Sequence, residues 1–152
     1  MAYGEELTST DELYDIDNVD LLARLIYSEA ESETEEGKRG VAFVASNRKE
    51  TSGFPNTYKE VILQKGQFDG IWTKRALKPD TSSQAWKDSL DIASNMATKK
   101  NPIGTRTYFQ REDSLKTLDK SGTNGTYKGT NSWTSFSDGK IIGAHIFYTA
   151  NT

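Results

Sequence analysis

The chain of 152 residues contains no cysteine, which excludes disulfides and thiolate chemistry. It carries one imidazole, His145, so the common zinc sites, which draw on several His and Cys ligands, are not expected. No apolar run approaches the roughly 18 to 20 residues of a membrane span, and no basic start leads into an apolar signal segment, so a soluble chain without a membrane span is expected. Glycine-rich phosphate loops of the P-loop or dinucleotide type are missing. Any chemistry must therefore come from carboxylates, hydroxyls, amides and aromatic rings, with neither metal nor cofactor. The apolar fraction is only 34%, but aromatics reach 11%, so a single domain with a core built on a few large side chains is expected.

The net charge of −3 conceals a polarity along the chain. Residues 1–36 hold twelve acidic groups and only Arg24, a net of −11, whereas the remainder carries a net of +8. A basic body would be drawn to an anionic polymer such as nucleic acid or a wall polysaccharide. However, Lys38-Arg39, Lys74-Arg75 and Lys99-Lys100 are isolated pairs and are read as solvating the surface, and no basic aromatic motif of a nucleic-acid binder is present.

Glu29 is the residue that breaks the pattern. Leu22, Leu25 and Ile26 recur at helical spacing and mark a buried stripe. Glu29 lies four residues after Leu25 and three after Ile26, so its side chain continues that stripe. Burial disfavours the charged form of a carboxylate and raises its pKa toward the range useful to a general acid. The same spacing also allows a half-exposed carboxylate, or one paired with Arg48 of the neighbouring helix.

Residues 1–17 read as an acidic, loosely docked arm and 18–152 as the domain proper. Asp17 or Asn18 caps a helix to about Ala30, and Thr34 caps a second whose small residues Gly37 and Gly40 suit close packing on the first. A short helix over 57–63 precedes a loop, 64–80, bearing Gln67, Phe68 and Trp72. Thr81 or Ser82 caps a helix over 83–97, with Trp86 in the core. Residues 105–110 alternate as a strand, 121–132 read as a mobile loop, and 140–149 as one strand after the Asp138-Gly139 turn. Helices first and a small antiparallel sheet late in the chain indicate an α+β fold, mostly helical.

A partly buried acid beside amides and aromatics suits glycoside cleavage, since sugars offer apolar faces to rings and hydroxyls to amides. Gln67, Phe68, Tyr108, Trp133 and Tyr27 are the candidate substrate-binding residues, with Phe136 behind them. Asp69 is the best candidate for a second carboxylate, ahead of Glu31 and Glu33, each also readable as a solvated surface acid. His145, inside an apolar strand, reads as a hydrogen-bonded structural histidine.

Leu22-Ala23-Arg24-Leu25-Ile26-Tyr27-Ser28-Glu29-Ala30, Gly40-Val41-Ala42 through Asn47-Arg48, Phe54-Pro55-Asn56-Thr57, Val61-Ile62, Gln67-Phe68 and the closing Ile142-Gly143-Ala144-His145-Ile146-Phe147-Tyr148 together resemble the SleB/CwlJ-type cell wall hydrolases. The resemblance spans about Leu21 to Tyr148 and implies a lysozyme-like domain that cuts peptidoglycan glycan strands, in spore cortex or cell wall. It places the family's catalytic glutamate on Glu29, acting as acid and then base in lytic transglycosylation. It further implies an extracytoplasmic monomer, in the wall or spore cortex and coat or as a phage lysin, without nucleic-acid partners and with an activator protein as a conceivable partner. A hydrolytic muramidase or glucosaminidase using Asp69, and a glycan-binding module that does not cut, are the alternatives. The polar stretch 110–132 departs from the family pattern and bears on substrate preference.

Overall fold

The computed structural model describes residues 2–128 and 133–151. Among these described residues five α-helices come first: α1 (Asn18–Ala30), α2 (Glu35–Lys49), α3 (Tyr58–Ile62), α4 (Lys74–Leu77) and α5 (Gln84–Ser94). Six short strands follow: β1 (Tyr108–Arg111), β2 (Thr117–Leu118), β3 (Gly125–Lys128), β4 (Trp133–Phe136), β5 (Lys140–Ile142) and β6 (His145–Tyr148). The fold is α+β. The strands form two antiparallel three-stranded sheets, ordered β1-β6-β5 and β2-β3-β4.

Helix α1 is the axis of the molecule. Asp17 caps it by accepting the Asp20 N–H at 3.0 Å. Its neighbours are α2, α3, α4, α5 and a helical turn at Gly70–Trp72. Leu21, Leu22, Ala23, Leu25 and Ile26 are all buried, and so is Arg24. A helix enclosed on every side has no free polar face, so its polar residues must find partners in the protein. Arg24 does: its Nε meets Asp20 Oδ1 at 2.9 Å, Nη1 donates to the carbonyls of Ala76 and Leu77, and Nη2 donates to that of Glu5.

These bonds correct the reading of the acidic segment as a loose arm. Leu7, Leu13 and Ile16 are buried in the main core, Gly4 N–H donates to Asp20, and Leu7 N–H donates to the Leu77 carbonyl. The charges that suggested disorder occupy the outer side of a segment whose Leu7, Leu13 and Ile16 face inward, while Tyr3 and Tyr14 are exposed.

Other boundaries also move. Thr34 caps α2 as expected, but Thr57 lies just before α3 as its cap, and Ser83 caps α5, which ends at Ser94. The loop 64–80 contains the Gly70–Trp72 turn and α4. Gly40 makes room for the Phe147 ring of β6 rather than for α1. Lys38 is buried, with Nζ donating to the carbonyls of Glu31 and Glu33, so it pins the connection between α1 and α2 instead of solvating the surface. Strand β3 occupies part of the stretch read as a mobile loop, and residues 129–132 of that stretch lie outside the described residues. The predicted strand over 140–149 is two strands, because Gly143 turns the chain at φ +62°.

Removing Arg24 should expose the cost of this design. Arg24→Met leaves Asp20 buried without its cation and deprives three carbonyls of their donor, so a loss of about 3–5 kcal/mol is expected. Urea denaturation followed by circular dichroism checks this, and a loss below about 1 kcal/mol would mean that the arm does not depend on Arg24.

Candidate active site

Glu29 sits in the last turn of α1, half-buried, where that helix meets the Gly70–Trp72 turn. Its Oε1 accepts the Gly70 N–H at 2.8 Å. Position 70 must be glycine for this contact, since a Cβ there would lie 2.9 Å from Glu29 Oε1 and 2.8 Å from Ser28 Oγ. Burial raises the Glu29 pKa, the Gly70 hydrogen bond opposes that shift, and the nearby Asp69 charge adds to it. Arg48 does not pair with Glu29. Its Nε donates to the Thr107 carbonyl at 2.7 Å and its Nη1 to Gln67 Oε1 at 3.0 Å.

Glu29 faces a cleft of about 380 Å³ between the helical body and the sheets, whose polar lining includes Gln67, Asp69, Gln110, Arg111, Tyr127 and His145. A smaller cavity of about 170 Å³ adjoins it, sharing Gln67, Phe109, Gln110 and Tyr127 and adding Arg48, Tyr108, Thr134 and Tyr148. Larger hollows exist, but the one of about 760 Å³ is an open groove around Tyr14 and Leu63 that contains neither Glu29 nor Asp69. The smaller, more polar cleft is the one that Glu29 and Asp69 line.

The structure brings together some of the residues singled out from sequence and separates others. Gln67 and Asp69 share the Glu29 cleft, and Tyr108 lines the adjoining cavity, stacked on Tyr148 with Arg48 4.8 Å from its ring centre. Phe68 is only 2% exposed, lies beneath Arg48 at 4.7 Å and stacks on Phe109, so it supports the cavity floor instead of offering a sugar platform. Tyr27 is a core residue, edge-on to Trp86, with its hydroxyl accepting the Asp80 N–H. Phe136 is buried against Tyr148.

Trp133 is 57% exposed and outside the cleft. The alternation of strand β4 accounts for this: Thr134, paired with Tyr127, faces the cavity, so Trp133 and its partner Lys128 face away. Tyr127 was missed because it lies in a stretch rich in Gly, Ser, Thr and Asn. Its alternation with Thr126 and Lys128 was the available signal. Glu33, read as solvated, has a side chain only 9% exposed and accepts the Ala144 N–H at 2.9 Å. His145 is buried as expected but is not hydrogen-bonded through Nδ1.

A match to the model of the family described as Cell Wall Hydrolase runs over residues 32–148, most of the chain. The chain belongs to the cell wall hydrolase family. The matched span takes in Gln67, Asp69, Tyr108 and His145 and begins just beyond Glu29. The fold of this cell wall hydrolase is similar to that of the catalytic domain of a germination-specific lytic transglycosylase, SleB, from Bacillus anthracis. The TM-score is 0.56 at 23% identity, covering 94% of this chain and 97% of that one. It is likewise similar to the catalytic domain of the SleB protein from Bacillus cereus, with a TM-score of 0.59 at 27% identity, covering 87% and 89% of the two chains. No protein of curated function matches the sequence. Among the described residues of this cell wall hydrolase, no helix is long and apolar enough to cross a membrane, and no cluster of His, Asp and Glu has the arrangement of a metal site.

The raised Glu29 pKa has a consequence for stability. Below the unfolded-state pKa both states carry the proton and no penalty arises, and as pH rises through the folded-state pKa the folded form bears the full cost of a buried charge. Glu29→Gln keeps an acceptor for Gly70 and removes the charge. The variant should melt at a higher temperature than the parent at pH 8, with the gain vanishing below about pH 4. Paired thermal melts across that range check the sign, and a variant less stable at pH 8 contradicts it.

Proposed function

We propose that this enzyme cleaves peptidoglycan glycan strands between N-acetylmuramic acid and N-acetylglucosamine by lytic transglycosylation, with Glu29 as the acid and then the base. The observation that carries this reading is the half-buried Glu29 carboxylate, its pKa raised by burial, fixed by Gly70 N–H, and opening onto a polar cleft. Protonated Glu29 donates to the departing glycosidic oxygen. The resulting carboxylate then takes the proton from the muramic 6-hydroxyl as that oxygen closes on C1 to form a 1,6-anhydro ring. No water is consumed, and one carboxyl group suffices for both transfers. Gln67 and Tyr108 bind the sugar, with Tyr127 and Gln110 added to them from the geometry.

Support comes from membership of the cell wall hydrolase family and from the likeness to the Bacillus cereus SleB catalytic domain. The related Bacillus anthracis protein, similar in fold, is described as a lytic transglycosylase specific to germination. By this reading the enzyme works outside the cytoplasm on wall or spore-cortex peptidoglycan, as a monomer, with an activator protein as a further proposed partner. A hydrolytic reading has one observation in its favour: Asp69 shares the cleft and is close enough to act electrostatically on Glu29. Hydrolysis would use it to activate water, with the carboxyl groups separated by roughly 5 to 9.5 Å.

Digestion of purified vegetative and cortex peptidoglycan, with muropeptides identified by mass spectrometry, separates these chemistries. The expected products are 1,6-anhydro ends, formed by the parent and lost in Glu29→Gln by a factor of at least about 100. Reducing ends that incorporate oxygen from labelled water would instead establish the hydrolase and give Asp69 the second role. Binding of glycan by both proteins without product from either would identify a non-cutting module.

A further inference from the structure

The cleft holds a polar group that the proposed reaction leaves unused. His145 Nδ1 is sealed from solvent and has no hydrogen-bond partner among the described residues. Buried polar groups are nearly always bonded, so an exception at a candidate active site calls for a physical reason. The nearest charged atom is Glu33 Oε1, 3.8 Å away, and the two side chains are 4% and 9% exposed. An approach closer by about 1 Å would make this contact a hydrogen bond.

The chain holds Glu33 in place from three directions. Lys38 Nζ donates to the Glu33 carbonyl and so fixes its backbone, Ala144 N–H donates to Oε1, and at Gly143 a Cβ would collide with that same oxygen. The hairpin turn between β5 and β6 is thus shaped to admit a carboxylate beside the imidazole. Phe109 and Phe147 face the ring at 5.1 and 6.1 Å between centres, both near edge-on, and leave the cleft as its polar outlet. His145 lines that cleft, and its Nε2 has no hydrogen-bond partner among the described residues.

The charged groups around the ring are Glu33 from the connection between α1 and α2, Arg111 from β1 opposite His145 in register, and Glu29 and Asp69 on the same cleft. Burial lowers the His145 pKa, Arg111 lowers it further, and Glu33 only partly opposes them, so the ring is neutral near pH 7. A neutral imidazole has one N–H and one lone pair. A carboxylate only accepts, so a hydrogen bond to Glu33 requires the tautomer with the proton on Nδ1 and frees the Nε2 lone pair.

We propose that Glu33 and His145 act as a buried pair in which His145 Nε2 accepts a hydrogen bond from a sugar hydroxyl bound beside Glu29, with Glu33 as the positioning residue. The proposal deepens the glycan-cleaving reading and rests on it.

Because the chain has a single histidine, long-range proton–nitrogen NMR reports this one imidazole without overlap. At pH 7 the parent is expected to show Nδ1 protonated and Nε2 bare. Glu33→Ala should move the ring toward the Nε2-protonated form that imidazoles favour in water. A parent already protonated on Nε2 overturns the proposal. Adding a peptidoglycan tetrasaccharide to the Glu29→Gln protein, with binding followed by calorimetry, should shift the Nε2 resonance. Binding without that shift overturns this proposal and leaves the glycan reading standing, whereas no binding overturns both. In turnover, His145→Phe is expected to raise KM roughly ten-fold, the loss of about one good hydrogen bond. His145→Gln should recover part of that loss, and an unchanged KM in a folded His145→Phe would reduce His145 to packing.

Discussion

The hydrogen bond from Gly70 N–H to Glu29 Oε1 is the contact on which the site depends. It joins the end of the buried helix α1 to the turn carrying Asp69, and so fixes the acid and one wall of its cleft in a single interaction. Two opposing effects meet there. Burial pushes the proton onto Glu29, while the backbone donor and the open cleft keep the charged form within reach. A group proposed to both give and take a proton needs that balance, because full burial would lock the proton on and full exposure would lose it.

The rest of the molecule serves the same geometry. Arg24 clamps α1 to α4 and to the acidic segment, Lys38 pins the connection out of α1, and Arg48 ties α2 to Gln67 and to the start of β1 through Thr107. In each case a long cation is drawn inside and satisfied largely by carbonyl or amide oxygens. Arg48 also lies near the rings of Phe54, Phe68 and Tyr108, whose faces favour a desolvated cation. With little apolar sequence available, these buried cations supply cross-links that a larger aliphatic core would otherwise provide. They also leave the cleft lined by amides, hydroxyls and carboxylates, a surface suited to sugars.

Much of the helical half was legible in the sequence, because its signals are local. The spacing of Leu22, Leu25 and Ile26 and the caps at Asp17 and Thr34 marked the first two helices and drew attention to Glu29. Gln67 stands out as an amide in a loop and Tyr108 as an aromatic in a predicted strand, and both line the cleft or the adjoining cavity. What was hidden depends on pairing between distant segments. Tyr127 enters the cleft only through its register with Thr134, and Trp133 leaves it by the same alternation. Glu33 looked like one acid among many, since the hairpin turn that buries it lies far away in sequence. Leu7, Leu13 and Ile16 were too sparse to outweigh the charges around them.

Glu29 is expected to hold its proton more tightly than an ordinary glutamate, because burial disfavours its charged form. Carbon-13 NMR of side-chain carboxyl groups, with Glu29→Gln identifying the resonance, measures this directly in the free protein. The account predicts a Glu29 titration midpoint clearly above about 4.3, the ordinary glutamate value, and above those of the exposed acids in the same spectrum. A midpoint at or below that value would contradict it and would leave Glu29 as a structural acceptor for Gly70.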